Sequence, residues 1–304
     1  MKTLIIGGTG HVGCHMVPRL LAEGIGVSVL SSGRTPPPSD PVWRQVDYIE
    51  HDYRSGTLPA VIQENPPDTV IDMLGMGHTY DLFRQSTGRI IVCGSTWMYG
   101  EPKVIPTPEE AQTVPCPFEG YARRFERIHQ DLKAAKDDGI QFTAIMPPNI
   151  CGPGKIPLEG MGGRSLDVHR AHAAGEKLVL PEGAECLIGP CDAADIADLF
   201  VLAITNPQAA AGEIFNAGSA YALTASEFIR TIADIYKTTI PIVYVSWEKY
   251  ITEVSTDMGA YWHFKAHMCP DIGKARAKLG YEPKFTPEQT MQRAIRWMRE
   301  KDLL

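Results

Sequence analysis

The chain has 304 residues, 44% of them hydrophobic and 21% charged, with 29 Lys+Arg against 36 Asp+Glu and a formal net charge of -7. That balance excludes a disordered chain and leaves room for one large domain or two unequal ones. It also argues against nucleic acid or an anionic membrane as partner, since a polyanion calls for a basic surface. Seven cysteines without C-x-x-C spacing make a disulfide framework unexpected. No basic leader precedes a long apolar run, and no stretch reaches the roughly 18 apolar residues of a membrane span. The expectation is a soluble cytoplasmic protein.

In chain order, Lys2 to Ile6 reads as a buried strand, followed by the loop Gly7-Gly8-Thr9-Gly10-His11-Val12-Gly13. Met16, Val17, Leu20 and Leu21 then recur at helical spacing, Gly24 marks the helix end, and Val27 to Leu30 is a second strand. Further strands are predicted at Val46 to Glu50, Thr69 to Met73, Ile90 to Cys93 and Phe142 to Met146, with a helix over Arg123 to Lys136. This alternation predicts an α/β fold, a Rossmann-type doubly wound parallel sheet. Residues 147–163, rich in Pro and Gly, read as an irregular connection. Helices follow at Leu166 to Ala174 and Asp192 to Ile204. Thr224 with Glu227, and Thr286 with Gln289 behind Pro287, read as capping boxes for two more. The expected division is a dinucleotide-binding domain over 1–150 and about 186–216. A smaller α-rich substrate-binding lobe takes about 151–185 and 217–304.

The glycine loop carries the first chemistry. A tight strand-to-helix turn, a close approach to a pyrophosphate and the free N–H groups of the next helix together make a dinucleotide site. Gly7, Gly10 and Gly13, with His11 and Val12 between the last two, form that candidate cofactor loop. NAD sites usually hold an acid at the end of the second strand for the ribose 2′-OH. Here Ser31-Ser32-Gly33-Arg34 stands there, so NADP is favoured over NAD, with Arg34 facing a 2′-phosphate or remaining a solvated loop charge.

With these features the sequence resembles the extended short-chain dehydrogenase/reductase superfamily, which includes the NAD-dependent epimerases and dehydratases, over nearly its whole length. Gly7 to Gly13 is similar to its glycine motif, and Asp52 to the acid after the third strand that contacts adenine. Ser95-Thr96-Trp97-Met98-Tyr99-Gly100 resembles S-x-x-V-Y-G, and Tyr121 falls where a catalytic Tyr is expected. Residues 147–154, PPNICGPG, resemble P-x-N-x-Y-G-P-G; Asp192 to Ala197 resembles V-x-D-D-V-A; Asp271 to Ala275 with Leu279-Gly280-Tyr281 resembles D-x-x-K-A…L-G-Y. The resemblance implies hydride transfer with the nicotinamide. Tyr121 is then acid/base and a cofactor neighbour, Ser95 (with Thr96 as alternate) sits on the reacting oxygen, and Trp97 and Asn149 contact a carbohydrate-like substrate.

Two departures stand out. The resemblance implies a Lys four residues after the Tyr, where this chain has Phe125. Arg124, at i+3, shares a helix face with Tyr121 and is permanently cationic. Either Arg124 takes over the electrostatic role, or the site is lost and the protein is a non-catalytic NAD(P)-binding sensor or scaffold. Secondly, the arginines that pair with a nucleotide-sugar diphosphate in the superfamily correspond to Met146 and a position near Ile188, which leaves fewer charge partners for an anion. His263 and His267 at i, i+4 have metal-ligand spacing, but pocket lining or packing is the preferred reading and no metal site is expected. His169 and His172 read as surface or lobe-interface residues, and Cys151 as a small buried hydrophobe. A homodimer is compatible with this reading.

Overall fold

The computed structural model describes residues 1–110 and 116–304. Its strands are β1 (Lys2–Ile6), β2 (Gly26–Ser31), β3 (Asp47–Glu50), β4 (Thr69–Asp72), β5 (Arg89–Cys93), β6 (Gln141–Met146), β7 (Asn149–Cys151), β8 (Leu178–Pro181), β9 (Leu187–Ile188), β10 (Pro190–Asp192) and β11 (Glu213–Asn216), with two short ones beyond. Seven of them form one fully parallel sheet in the order 3-2-1-4-5-6-11. Strand order reverses between β1, which pairs with β2, and β4, so a crevice opens beyond their carboxyl ends.

The sheet is buried on both faces because its strands are apolar throughout. Alternation sends Ile5, Val29, Ile71, Ile91, Ile145 and Phe215 to one face, where they pack with Met16, Val17 and Leu20 of α1 (Gly13–Ala22). Leu4, Ile6, Val70, Ile90, Phe142 and Ala144 face the other way, toward Tyr80, Phe83 and Ile128. A third cluster, with Leu178, Leu180, Phe228, Ile232, Tyr250 and Met291, lies in the later part of the chain. Each such side chain contributes about 1.5–3 kcal/mol on burial.

Several elements depart from the sequence reading. The helix expected from Arg123 begins at Glu119 and runs to Asp138, which puts Tyr121 in its first turn. The Pro/Gly-rich connection contains β7, paired in parallel with β10. Its backbone passes the buried Asp192 at Gly152 (φ +95°), where a Cβ would lie 2.8 Å from a carboxylate oxygen. Asp192 caps the helix Ala193–Thr205 through the Ala194 N–H (2.9 Å) and pairs with Arg293 Nε (2.9 Å) of the last helix, Pro287–Glu300. Thr286 and Gln289 form a reciprocal capping box. Thr224 does not, because the Glu227 carboxylate binds Arg230 instead (2.6 Å) while only the Thr224 hydroxyl accepts from the helix. Ile272, Ala275, Leu279 and Tyr281 of the C-terminal signature pack in the cluster under the sheet. The same signature's Lys274 faces Glu110 at 2.9 Å and Glu213 at 3.6 Å. No helix among the described residues is long and apolar enough to cross a membrane.

Candidate active site

Two cavities sit at the crevice and meet at Leu74, which lines both. The smaller, about 190 Å³, is floored by the glycine loop and walled by Ser31, Arg34 and Asp52. Gly7 has φ +77°, and a Cβ on Gly10 would stand 3.1 Å from the Gly7 carbonyl oxygen. At Gly13 a Cβ would fall 2.2 Å from the Gly8 oxygen, so only glycine lets α1 start this close to the loop. Val12 precedes α1 and is buried. The Ser31 hydroxyl lies 3.2 Å from that of Thr9. Asp52 accepts from the Arg54 N–H at 3.2 Å and thereby caps a short turn. Arg54 and His51, which the sequence reading passed over, line this cavity with the exposed Arg34. The signal for them was adjacency to Asp52.

The larger cavity, about 840 Å³, gathers Ser95, Trp97, Tyr121, Arg124 and Asn149. Ser95 follows β5 and its hydroxyl accepts from the Trp97 N–H (3.2 Å). Thr96 is buried, its hydroxyl turned to the Pro147 carbonyl and the Met268 sulfur, both at 3.5 Å, so it is not beside Ser95 in the lining. The Trp97 and Tyr121 ring centroids are 6.2 Å apart. Asn149 is buried and its amide nitrogen has no partner.

Arg124 and Phe125 diverge. The Arg124 guanidinium lies over the Tyr121 ring, 4.8 Å from its centroid, and 3.4 Å from the carbonyls of Leu74 and Gly75. That loop is held by the buried Asp72, which accepts from the N–H groups of Leu74 (2.8 Å) and Gly75 (3.0 Å) and from the Thr79 hydroxyl (2.5 Å). Gly75 (φ +58°) is required there, since a Cβ would meet the Cys93 carbonyl at 2.5 Å. Phe125 instead packs edge-on against Tyr99 (5.4 Å) and His129 (4.6 Å), outside the cavity lining.

Met146 and Ile188, at and near the positions where the superfamily's diphosphate-binding arginines would stand, are buried core residues. Cations enter from elsewhere. Lys155 and Arg164 line the cavity, with the exposed Asp257 as the acid among the lining residues. Arg164 donates to the carbonyls of Ile156 (2.9 Å) and Ile150 (2.7 Å). Burial and the neighbouring Arg164 charge lower the Lys155 ammonium. Lys155 stands in the Pro/Gly-rich connection and Arg164 directly after it, where no helical or strand pattern aims them.

Several of the histidines are buried. His169 and His172 are buried, not at the surface. His169 lies between the Pro157 carbonyl (3.2 Å) and the Tyr236 hydroxyl (3.0 Å), and His172 Nε2 accepts from the Gly160 N–H (3.1 Å). Burial lowers both to about 4. His11 reaches across to the Pro153 carbonyl (2.9 Å), and burial lowers it too to about 4. His263 and His267 do not converge: His267 Nδ1 accepts from the Leu187 N–H (3.1 Å), while His263 packs edge-on to Trp97 with centroids 4.7 Å apart. Among the described residues no three His, Cys, Asp or Glu side chains gather as a metal site would require. Cys151 is fully buried.

Comparison with known proteins gives a consistent picture. Residues 3–81 and 72–218 match the model of the "NAD dependent epimerase/dehydratase family". The chain is 22% identical over 285 residues to UDP-glucose 4-epimerase of Azospirillum brasilense, covering 80% of each. It is 24% identical over 315 residues to dTDP-6-deoxy-L-talose 4-dehydrogenase (NAD(P)(+)) of Kitasatospora kifunensis, covering 97% of this chain and 93% of that one. A solved UDP-glucose 4-epimerase from Thermotoga maritima with UDP-glucose superposes with a TM-score of 0.77 at 19% identity over 99% of both chains, a likeness of fold.

Proposed function

The chain belongs to the NAD dependent epimerase/dehydratase family, and from that premise we propose that it is an NAD(P)-dependent epimerase, dehydratase or reductase working by hydride transfer on a sugar-nucleotide hydroxyl or carbonyl. The observation that carries the reading is the convergence of Ser95, Tyr121 and Arg124 on one cavity that meets the glycine-loop cavity at Leu74.

The residues present fit a dinucleotide. The glycine loop is a cradle that a Cβ at Gly10 would narrow, and the smaller cavity is of adenosine-end character, with Ser31, Arg34 and Asp52 around it. Arg34 and Arg54 flank it with no acid at the end of β2, which supports NADP over NAD. We assign 1–150 with about 186–216 to cofactor binding, and about 151–185 with 217–304 to substrate. Bound in this cleft, the nicotinamide supplies the hydride acceptor and donor.

The chain's own residues handle the proton. Tyr121 takes the hydroxyl proton on its phenolic oxygen and returns it, and Ser95 holds the reacting oxygen by a hydrogen bond. A free tyrosine ionises near 10 and is a weak base at neutral pH, so a nearby cation has to favour its phenolate. Arg124 holds a fixed positive charge over the Tyr121 ring and cannot relay a proton itself, since guanidinium keeps its charge. Lys155 and Arg164 supply charge for an anionic substrate group.

Mixing the cofactor-loaded protein with UDP-glucose, UDP-galactose and dTDP-6-deoxy-L-talose, while following nicotinamide absorbance and product sugars, tests the proposal. Conversion of one compound that Tyr121→Phe abolishes supports it. The second reading, a non-catalytic NAD(P)-binding sensor or scaffold, is favoured by Phe125 and its packing away from the cavity. Tight cofactor binding with no conversion of any compound would establish it instead.

A further inference from the structure

Within the reading above, on which this inference rests, one side chain in the large cavity is unexplained by cofactor, acid/base or packing roles. His263 lies in the single turn Trp262–Phe264 and is 5% exposed. Neither ring nitrogen has a hydrogen-bond partner among the described residues, and Nδ1 is fully buried. The ring lines the same cavity as Ser95 and Tyr121. It is wedged between the Trp97 indole and Gly162, where a Cβ would stand 3.2 Å from its Cδ2.

A buried polar group without a partner destabilises a fold, and a phenyl ring would fill this space without that penalty. Nδ1 is closed to solvent and so to a ligand as well; Nε2, which makes no hydrogen bond among the described residues and is not among the closed-off atoms, is the nitrogen that a ligand in the cavity completes. Burial, reinforced by the Arg164 charge, lowers His263 to about 3 and keeps the ring neutral. A nitrogen of a neutral imidazole donates or accepts one hydrogen bond according to the tautomer, and a hydroxyl group meets either case. The same neutrality makes it unsuitable as the proton-transfer group at working pH.

We propose that His263 is a specificity-determining residue that hydrogen-bonds a sugar hydroxyl of the substrate lying against Trp97. A site built around such a bond rejects ligands that cannot complete it.

The test uses the full chain loaded with its cofactor and UDP-glucose as probe, in wild type, His263→Phe and His263→Gln. Nitrogen NMR on isotope-labelled histidine identifies the His263 signals as those missing from His263→Phe. UDP-glucose should shift them. His263→Phe should lose roughly 10- to 100-fold in kcat/KM, mainly through KM. Its cofactor affinity should stay unchanged and its melting temperature equal or higher. His263→Gln should recover part of the loss. If UDP-glucose is turned over with the His263 signals unmoved and His263→Phe as active as wild type, this inference fails and the proposed function stands. A joint loss of activity, cofactor affinity and melting temperature that Gln does not repair would mark a packing role and also overturn it. If wild type neither binds nor converts any of UDP-glucose, UDP-galactose and dTDP-6-deoxy-L-talose, the sugar-nucleotide reading fails, and this inference with it.

Discussion

Tyr121 and Arg124 are neighbours on one helix face, and their relation is the sharpest feature at the residue scale. Tyr121→Phe should lower turnover by about 10²–10⁴-fold, the range of general acid–base catalysis, with cofactor affinity unchanged. Arg124→Leu should lower turnover by about 10²-fold, because it removes the fixed cation over the Tyr121 ring; turnover equal to wild type would remove Arg124 from the site. Arg34→Ala with Arg54→Ala should weaken NADP binding more than NAD binding, measured by titration of both cofactors. At this scale the sequence was most legible where residue type and motif coincide, as at Ser95, Tyr121 and Asn149, which line one cavity. Direction within a turn was not legible. Thr96 and Phe125 stand beside or one turn from lining residues, yet their side chains are claimed by Met268 and Tyr99 from distant parts of the chain. His169 and His172 read as surface or lobe-interface residues because their partners, Tyr236 and the Gly160 backbone, are set by tertiary packing.

At the scale of elements, the loop before α1 and the ends of the later helices do most of the positioning. Replacing Gly10 with Val would press a branched side chain toward the Gly7 carbonyl and into the cradle, and should abolish cofactor binding in a titration. Arg293→Leu would leave the buried Asp192 carboxylate without its cation. It should cost about 3 kcal/mol in denaturant unfolding, as expected when one partner of a buried pair is removed. The strand–loop–helix start of the fold was readable because periodicity and glycines agree locally. The short β7 and the edge strand β11 were not, since three or four residues carry no period, and their pairing with β10 and β6 is decided by the rest of the fold. The capping sequences show the same limit: Thr286 and Thr224 both precede a suitable partner at three residues, but Arg230 takes Glu227 away.

For the whole molecule, buried ionisable groups set the response to acid. Burial lowers His11, His169 and His172 to about 4 and His263 to about 3. Their folded-state affinities for protons are below that of an unfolded His, so their contribution is present above about pH 6.5 and is lost as pH falls toward those values. Glu159 and Asp131, raised by burial to about 6, act in the opposite sense: their contribution grows as pH drops below 6. His15 is lowered too, and Glu109 and Asp195 are raised, so five histidines oppose four carboxylates and the balance is a loss of stability as pH falls. The melting temperature should fall steadily from pH 7 to pH 5; a flat profile would contradict the burial of these rings. The cavity at the glycine loop and the one at Tyr121 meet at Leu74, so cofactor and proton transfer share one cleft in the proposed function. The most direct measurement is a single-turnover experiment in which cofactor-loaded wild type and Tyr121→Phe are mixed with UDP-glucose and UDP-galactose and the nicotinamide absorbance is followed. Wild type should give interconversion or a transient change in nicotinamide redox state, and Tyr121→Phe neither. Equal responses from the two proteins would contradict it.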